Sequence, residues 1–168
     1  MEYVDVVNEQ DEVIDTVSKQ EAHEKGLLHR TVIAEIINTR GEFVLVQQSS
    51  DRQDAGQFVS PVGGHVEAGE SEEEAIKREA NEEFGLAEVT CKLIGKEIFY
   101  REVKGRKENH YFVLYEIHSD AIPILNEESV GFEYFSREKL AQEIKTKPTK
   151  FGDAFIFVVK TFYPQLLS

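Results

Sequence analysis

The sequence predicts an α/β protein, and three observations predict it. Short runs rich in valine, isoleucine and aromatic residues recur from residue 3 to residue 135, separated by clusters of turn-forming residues, which is how strands punctuate a chain. The stretch from Ser71 to Gly85 carries both a start and a stop signal for a helix. Two more helical patterns follow between residues 136 and 165. At 168 residues, 40% of them hydrophobic, the chain suits one domain spanning residues 1–168 and is long enough to bury roughly two-thirds of its unfolded surface. No internal repeat, low-complexity tract or linker divides it.

Taken in order, Tyr3–Val7 and residues 13–17 read as a hairpin across a polar turn at residues 8–11. Ser18 and Glu21 form a capping-box pattern ahead of a short helix ending near Gly26, which carries His23, with His29 just beyond it. This N-terminal hairpin and helix occupy residues 1–29. Residues 30–37 and 42–48 form a second hairpin, and the polar stretch SSDRQDAGQ, residues 49–57, reads as a loop near a glycine turn at Gly63 and Gly64. Residues 89–100 and 109–117 read as long strands joined by a basic tip, REVKGRKE. That tip is a solvated hairpin end or a phosphate contact. Residues 130–135 form a further strand, Ser136 caps a helix to about Lys145, and residues 151–163 give a last helix carrying Phe151, Phe155, Phe162 and Tyr163. Those aromatics suit a core or a dimer contact, so a monomer or homodimer is expected.

Chemistry concentrates in GHVEAGESEEEAIKREANEEFGL, residues 64–86. Ser71 and Glu74 make a capping box, and Gly85 supplies the stop. At about 100° per residue, Ile76, Ala80 and Phe84 form one apolar stripe, while Glu79, Glu82 and Glu83 gather on an adjoining strip with Ala75 among them. Like charges at these spacings repel by roughly 0.2–0.5 kcal/mol per pair, a cost that a hard cation such as Mg²⁺ turns into binding. Arg78 stands at i+4 from Glu74 and i−4 from Glu82, where one guanidinium can brace both.

This stretch resembles the box of the Nudix hydrolases: Gly64, Glu70, Arg78, Glu79, Glu82, Glu83, Gly85 and Leu86 match, with small Ala80 where a larger aliphatic is usual. The resemblance implies an α/β/α sandwich around a mixed central sheet. It also implies Mg²⁺ or Mn²⁺ held by Glu79, Glu82 and Glu83 with the Gly63 carbonyl, and a loop–helix–loop shaped by Gly64, Glu70, Arg78 and Gly85. The reaction it implies is metal-dependent hydrolysis of a diphosphate linkage in a nucleoside diphosphate joined to another group. Glu79, Glu127 and Glu128 are the candidate bases, the last two in an acidic loop before the strand at 130–135.

The wider layout from residue 3 to residue 135 is similar to the Nudix branch that contains the isopentenyl diphosphate isomerases. Positions matching the second metal site of those isomerases are His23, His29, His65, Glu108 and His110, with His110 replacing a glutamate. Glu108 and His110 are i and i+2 on an expected strand and so share a face. Such a set suits Zn²⁺ or Mn²⁺, with affinity falling as pH drops through about 6.5; the alternative is a set of hydrogen-bonded core histidines. Gly63 stands where the isomerases carry their catalytic cysteine, and Gln48 and Ser49 where they carry an arginine pair, which argues against isomerase chemistry. A Nudix-fold module that binds a nucleotide without turnover is the third reading.

Composition bounds the partners. Nineteen basic against 32 acidic residues give a formal charge of −13, which opposes nucleic acid and favours a small phosphorylated substrate met through a metal. The lone Cys91 leaves no intrachain disulfide, and no apolar run has signal or membrane-spanning length. No membrane partner and a cytoplasmic location are therefore expected.

Overall fold

In the computed structural model, which describes residues 1–51 and 55–168, everything is organised on β3, His29–Ile37. Its run of apolar residues is buried on both faces, the pattern of a strand covered from both sides. On it assemble β1 (Tyr3–Val7), β2 (Val13–Ser18), β4 (Phe43–Gln48), β5 (Phe58–Val59), β6 (Val62–His65), β7 (Cys91–Val103), β8 (Arg106–His118) and β9 (Ser129–Phe135) in one sheet. β3 pairs antiparallel with β4 and β6 and parallel with β8, whose register runs from His29 opposite His110 to Ile37 opposite His118. The sheet is mixed, as expected.

Helices cover both faces. On one, α2 (Glu72–Phe84) lays Ala75, Ile76, Ala80 and Phe84 against Val32, Ala34, Ile36, Val62 and Val113. On the other, α3 (Arg137–Thr146) and α4 (Asp153–Phe162) pack Leu140, Ile144, Phe155, Val158 and Val159 on Ile33, Ile37, Phe43, Leu45 and Leu114. This is an α/β/α sandwich. Phe151, Phe155 and Tyr163 belong to the core, and Phe162 packs against it. α1 (Lys19–Lys25) sits with β1 and β2 around Val4, Val6, Val17 and Ala22.

Several expectations are corrected. Gly63 and Gly64 lie in β6 rather than in a turn, because β3 takes up their backbone groups as a ladder, and the bend comes later at Gly69, where φ is 81°. Ala75 belongs to the apolar stripe and not to the acidic strip. β7 and β8 run on to a tip of Lys104 and Gly105, since charged residues of the basic segment pair across the ladder, Arg101 opposite Glu108 and Glu102 opposite Lys107. Only half of the second capping box forms: Ser18 accepts from the Glu21 N–H at 3.1 Å, while the Glu21 carboxylate turns to Lys25. Residues 52–54 of the expected 49–57 loop lie outside the described residues; around them, Gly56 N–H donates to the Gln48 carbonyl at 2.9 Å.

Candidate active site and histidine cluster

The acidic helix is placed by its own caps. Ser71 Oγ accepts from the Glu74 N–H at 3.1 Å and the Glu74 carboxylate accepts from the Ser71 N–H at 3.0 Å, while Gly85 closes the helix in the left-handed region. Because Glu74 is spent on the cap, Arg78 does not brace it as the spacing suggested. Arg78 instead donates from Nε and Nη2 to Glu70 at 2.8 and 2.9 Å, from Nη1 to Glu79 at 2.6 Å, and from Nη2 to the His65 carbonyl at 3.1 Å. Glu82 lies 3.6 Å from the same guanidinium. One arginine thus ties the end of β6, the turn and the helix together, and its bidentate hold lowers the Glu70 carboxyl below its ordinary value.

Glu79, Glu82 and Glu83 face a cleft of about 700 Å³, and Glu127 and Glu128 reach the same cleft from the loop before β9. Asn126 holds that loop to the helix by donating to the Glu82 carbonyl at 3.2 Å, a contact with no sequence signature. Burial, then Glu79 and then the charge of Glu128 push the Glu83 carboxyl well above its ordinary range; Glu82 is raised too, by burial and by Glu79. Gly63 N–H points at Glu83 Oε1 from 3.4 Å. A Cβ at Gly64 would stand 2.4 Å from the Glu79 carboxylate, so a side chain there must displace that carboxylate. A crowded set of oxygen ligands whose negative charge is only partly compensated fits a hard divalent cation.

Four histidines meet beside this cleft, and two of them, His65 and His110, line it. His29 opens β3 directly opposite His110 of the parallel strand β8, His65 ends β6, and His23 comes from α1. Their ligand atoms all lie within 4.8 Å of one another. His29 Nδ1 donates to the Leu27 carbonyl at 2.8 Å, which fixes the tautomer and leaves Nε2 a bare lone pair. That Nε2 and His110 Nε2 are both buried without a hydrogen-bond partner among the described residues. Burial holds every one of the four imidazoles neutral below its ordinary value, His23 down to about 4. Orphaned lone pairs on neutral, converging imidazoles are what a borderline metal requires.

Glu108 is not among the four converging ligand groups, although its charge acts on His23 and His29. Its buried carboxylate accepts from Arg101 Nε at 2.9 Å and Arg106 Nη2 at 2.8 Å, so the basic tip serves an acid within the fold. His118 pairs with Glu116 at 3.1 Å. Cys91 opens β7 and does not line the cleft.

Comparison with known proteins bears on the family and the fold. A family model described as NUDIX domain matches residues 27–155. An isopentenyl-diphosphate Delta-isomerase of Aliivibrio fischeri is 30% identical over 95% of this chain and 93% of that one. YfcD of Escherichia coli, an uncharacterized Nudix hydrolase, is 36% identical over 62% of this chain and 57% of its own length. Among solved structures, DR0079 of Deinococcus radiodurans superposes with a TM-score of 0.75 at 26% identity, covering 96% of this chain and 99% of that one. The MutT protein of Methanosarcina mazei gives 0.64 at 24% identity over 83% of this chain and 92% of its own, which speaks to the fold alone.

Proposed function

The chain belongs to the Nudix family, and from that premise we propose that it is a hydrolase cleaving a diphosphate linkage in a nucleoside diphosphate joined to another group. One observation carries the reading: Glu79, Glu82 and Glu83 of α2 and Glu128 of a distant loop converge on a single cleft. Mg²⁺ or Mn²⁺ held by the three helix carboxylates and the Gly63 carbonyl would supply neutralisation of phosphate charge and an acidified water. The chain's own residues do the rest. Arg78 occupies one oxygen of Glu79 at 2.6 Å and so orients it as a ligand, which leaves Glu128 to accept the proton of the attacking water. Purified protein assayed with Mg²⁺ and with Mn²⁺ against nucleotide sugars, dinucleotides and nucleoside triphosphates is expected to release a nucleoside monophosphate from at least one diester. Turnover of none of them, under metal concentrations that saturate the protein, would leave the reading without support.

The likeness to isopentenyl-diphosphate isomerases brings a second reading, and the cleft argues against it. Gly63 offers no thiol, and the chain's lone cysteine lies elsewhere. No interconversion of isopentenyl and dimethylallyl diphosphate is expected, and isomerisation that survives Cys91→Ala would overturn the argument.

The histidine quartet belongs to the same proposal as a site for Zn²⁺ or Mn²⁺. Elemental analysis of untagged protein should find a metal that is lost in His29→Ala and in His110→Ala; equal metal content in all three would reduce the quartet to core packing. Since burial keeps the imidazoles neutral far below the ordinary histidine value, the metal is expected to stay bound below pH 6.5 and leave nearer pH 4.

A further inference from the structure

One fully buried acid has no part in the chemistry above. Glu35 lies on β3, on the face it shares with Ile33 and Ile37, and is completely shielded from solvent. Its Oε2 accepts the hydrogen of the Ser60 hydroxyl, and its Oε1 is buried with no hydrogen-bond partner among the described residues. Ser60, half-buried between β5 and β6, lines the cleft that holds the carboxylates. A single hydroxyl therefore touches a sealed acid on one side and the cleft on the other.

We propose that Glu35 is a positioning residue, whose protonation decides whether Ser60 offers the substrate a hydrogen-bond donor or only an acceptor. A hydroxyl has one hydrogen to give. While Glu35 is ionised, that hydrogen is committed to its carboxylate and Ser60 presents lone pairs alone to the cleft. When Glu35 is protonated, its own O–H donates to Ser60 Oγ and the Ser60 hydrogen turns outward. The inference rests on the cleft being the substrate site, and it points to a substrate that sets an acceptor-only oxygen, such as a phosphoryl oxygen, against Ser60.

The surroundings favour a proton on Glu35 near neutrality. Glu116 of β8 is its register partner and a like charge. The oxygens of Glu116 are engaged elsewhere, one accepting from Tyr163 at the end of α4 at 2.6 Å and the other meeting His118 at 3.1 Å. Arg137 of α3 acts on Tyr163, and Lys139 and Lys150 stand over the Phe135 ring on the same face. β4 and β9 contribute apolar Phe43, Leu45 and Phe135. Burial, with a contribution from Glu116, pushes the Glu35 carboxyl up to about 7 against the pull of the Ser60 hydrogen bond. Affinity for an acceptor-only anion should therefore fall as pH rises through that value.

Two measurements on the full chain test this. In metal-free protein labelled with ¹³C-glutamate, one carboxyl resonance, absent from Glu35→Gln, should titrate near neutrality and move to higher pH in Ser60→Ala. A resonance that titrates in the ordinary carboxylate range, or that Ser60→Ala leaves in place, would sink the proposal. The second measurement is calorimetric binding, in Mg²⁺, of an α,β-methylene analogue of a nucleotide sugar, whose charge is constant between pH 6 and 8. Between those pH values the parent should lose about tenfold more affinity than either variant. Equal losses in parent and Glu35→Gln overturn the positioning role while the cleft remains the substrate site. No binding by any of the three proteins at either pH removes the cleft assignment, and the positioning role with it.

Discussion

Glu83→Gln is expected to lower metal-dependent turnover by about a hundredfold to a thousandfold while the protein still folds. The change keeps the shape of the side chain and removes the charge of the proposed ligand that is most crowded by its neighbours, Glu79 and Glu128. Loss of several kcal/mol of charge stabilisation at the phosphate accounts for that magnitude. Stability should move the other way. A carboxyl whose folded pKa is raised contributes least once pH exceeds its folded value, because the unfolded chain ionises freely while the folded one resists. The metal-free variant should therefore melt no lower than the parent at pH 8, and the two should approach each other below pH 4. Parental turnover across a Mg²⁺ titration would remove Glu83 from the ligand set.

Gly64→Ala should separate the site from the fold just as sharply. A Cβ at this position lies 2.4 Å from the Glu79 carboxylate, and the atom in the way is the far end of a flexible side chain, so the carboxylate swings aside and the backbone stays. A displacement of about 1 Å in a catalytic group costs on the order of a hundredfold in rate, whereas β6 keeps its pairing with β3 and the melting temperature changes little. Gly131→Ala is the matching control, because a Cβ at that glycine of β9 meets nothing within 4 Å. Equal activity in Gly64→Ala and the parent would show that Glu79 need not stand where Arg78 holds it.

The acidic helix was legible residue by residue because its signals are local. Ser71, Glu74 and Gly85 act within five residues of the backbone groups they satisfy, and the stripe of Ile76, Ala80 and Phe84 follows from helical spacing. Where the spacing misled, a competing partner explains it. Arg78 was within reach of Glu74, but Glu74 was already bound in the cap, and Glu70, eight residues earlier in the chain, became reachable only once the turn at Gly69 folded back. Glu108 was expected as a ligand beside the histidines through resemblance; its charge reaches His23 and His29, while its oxygens accept from Arg101, opposite it on β7, and from Arg106.

By itself, then, the sequence determined the capped acidic helix, its proposed oxygen ligands, the run of strands and the family to which the chain belongs. These depend on contacts a few residues apart or on a motif read in order. Tertiary structure alone decided that His29 and His110 stand side by side on parallel strands, that Glu128 reaches the cleft of Glu83, and that Glu35 is sealed beneath Ser60. Parallel pairing joins segments far apart in the chain, and neither its register nor the burial it imposes on a polar side chain is written in local spacing.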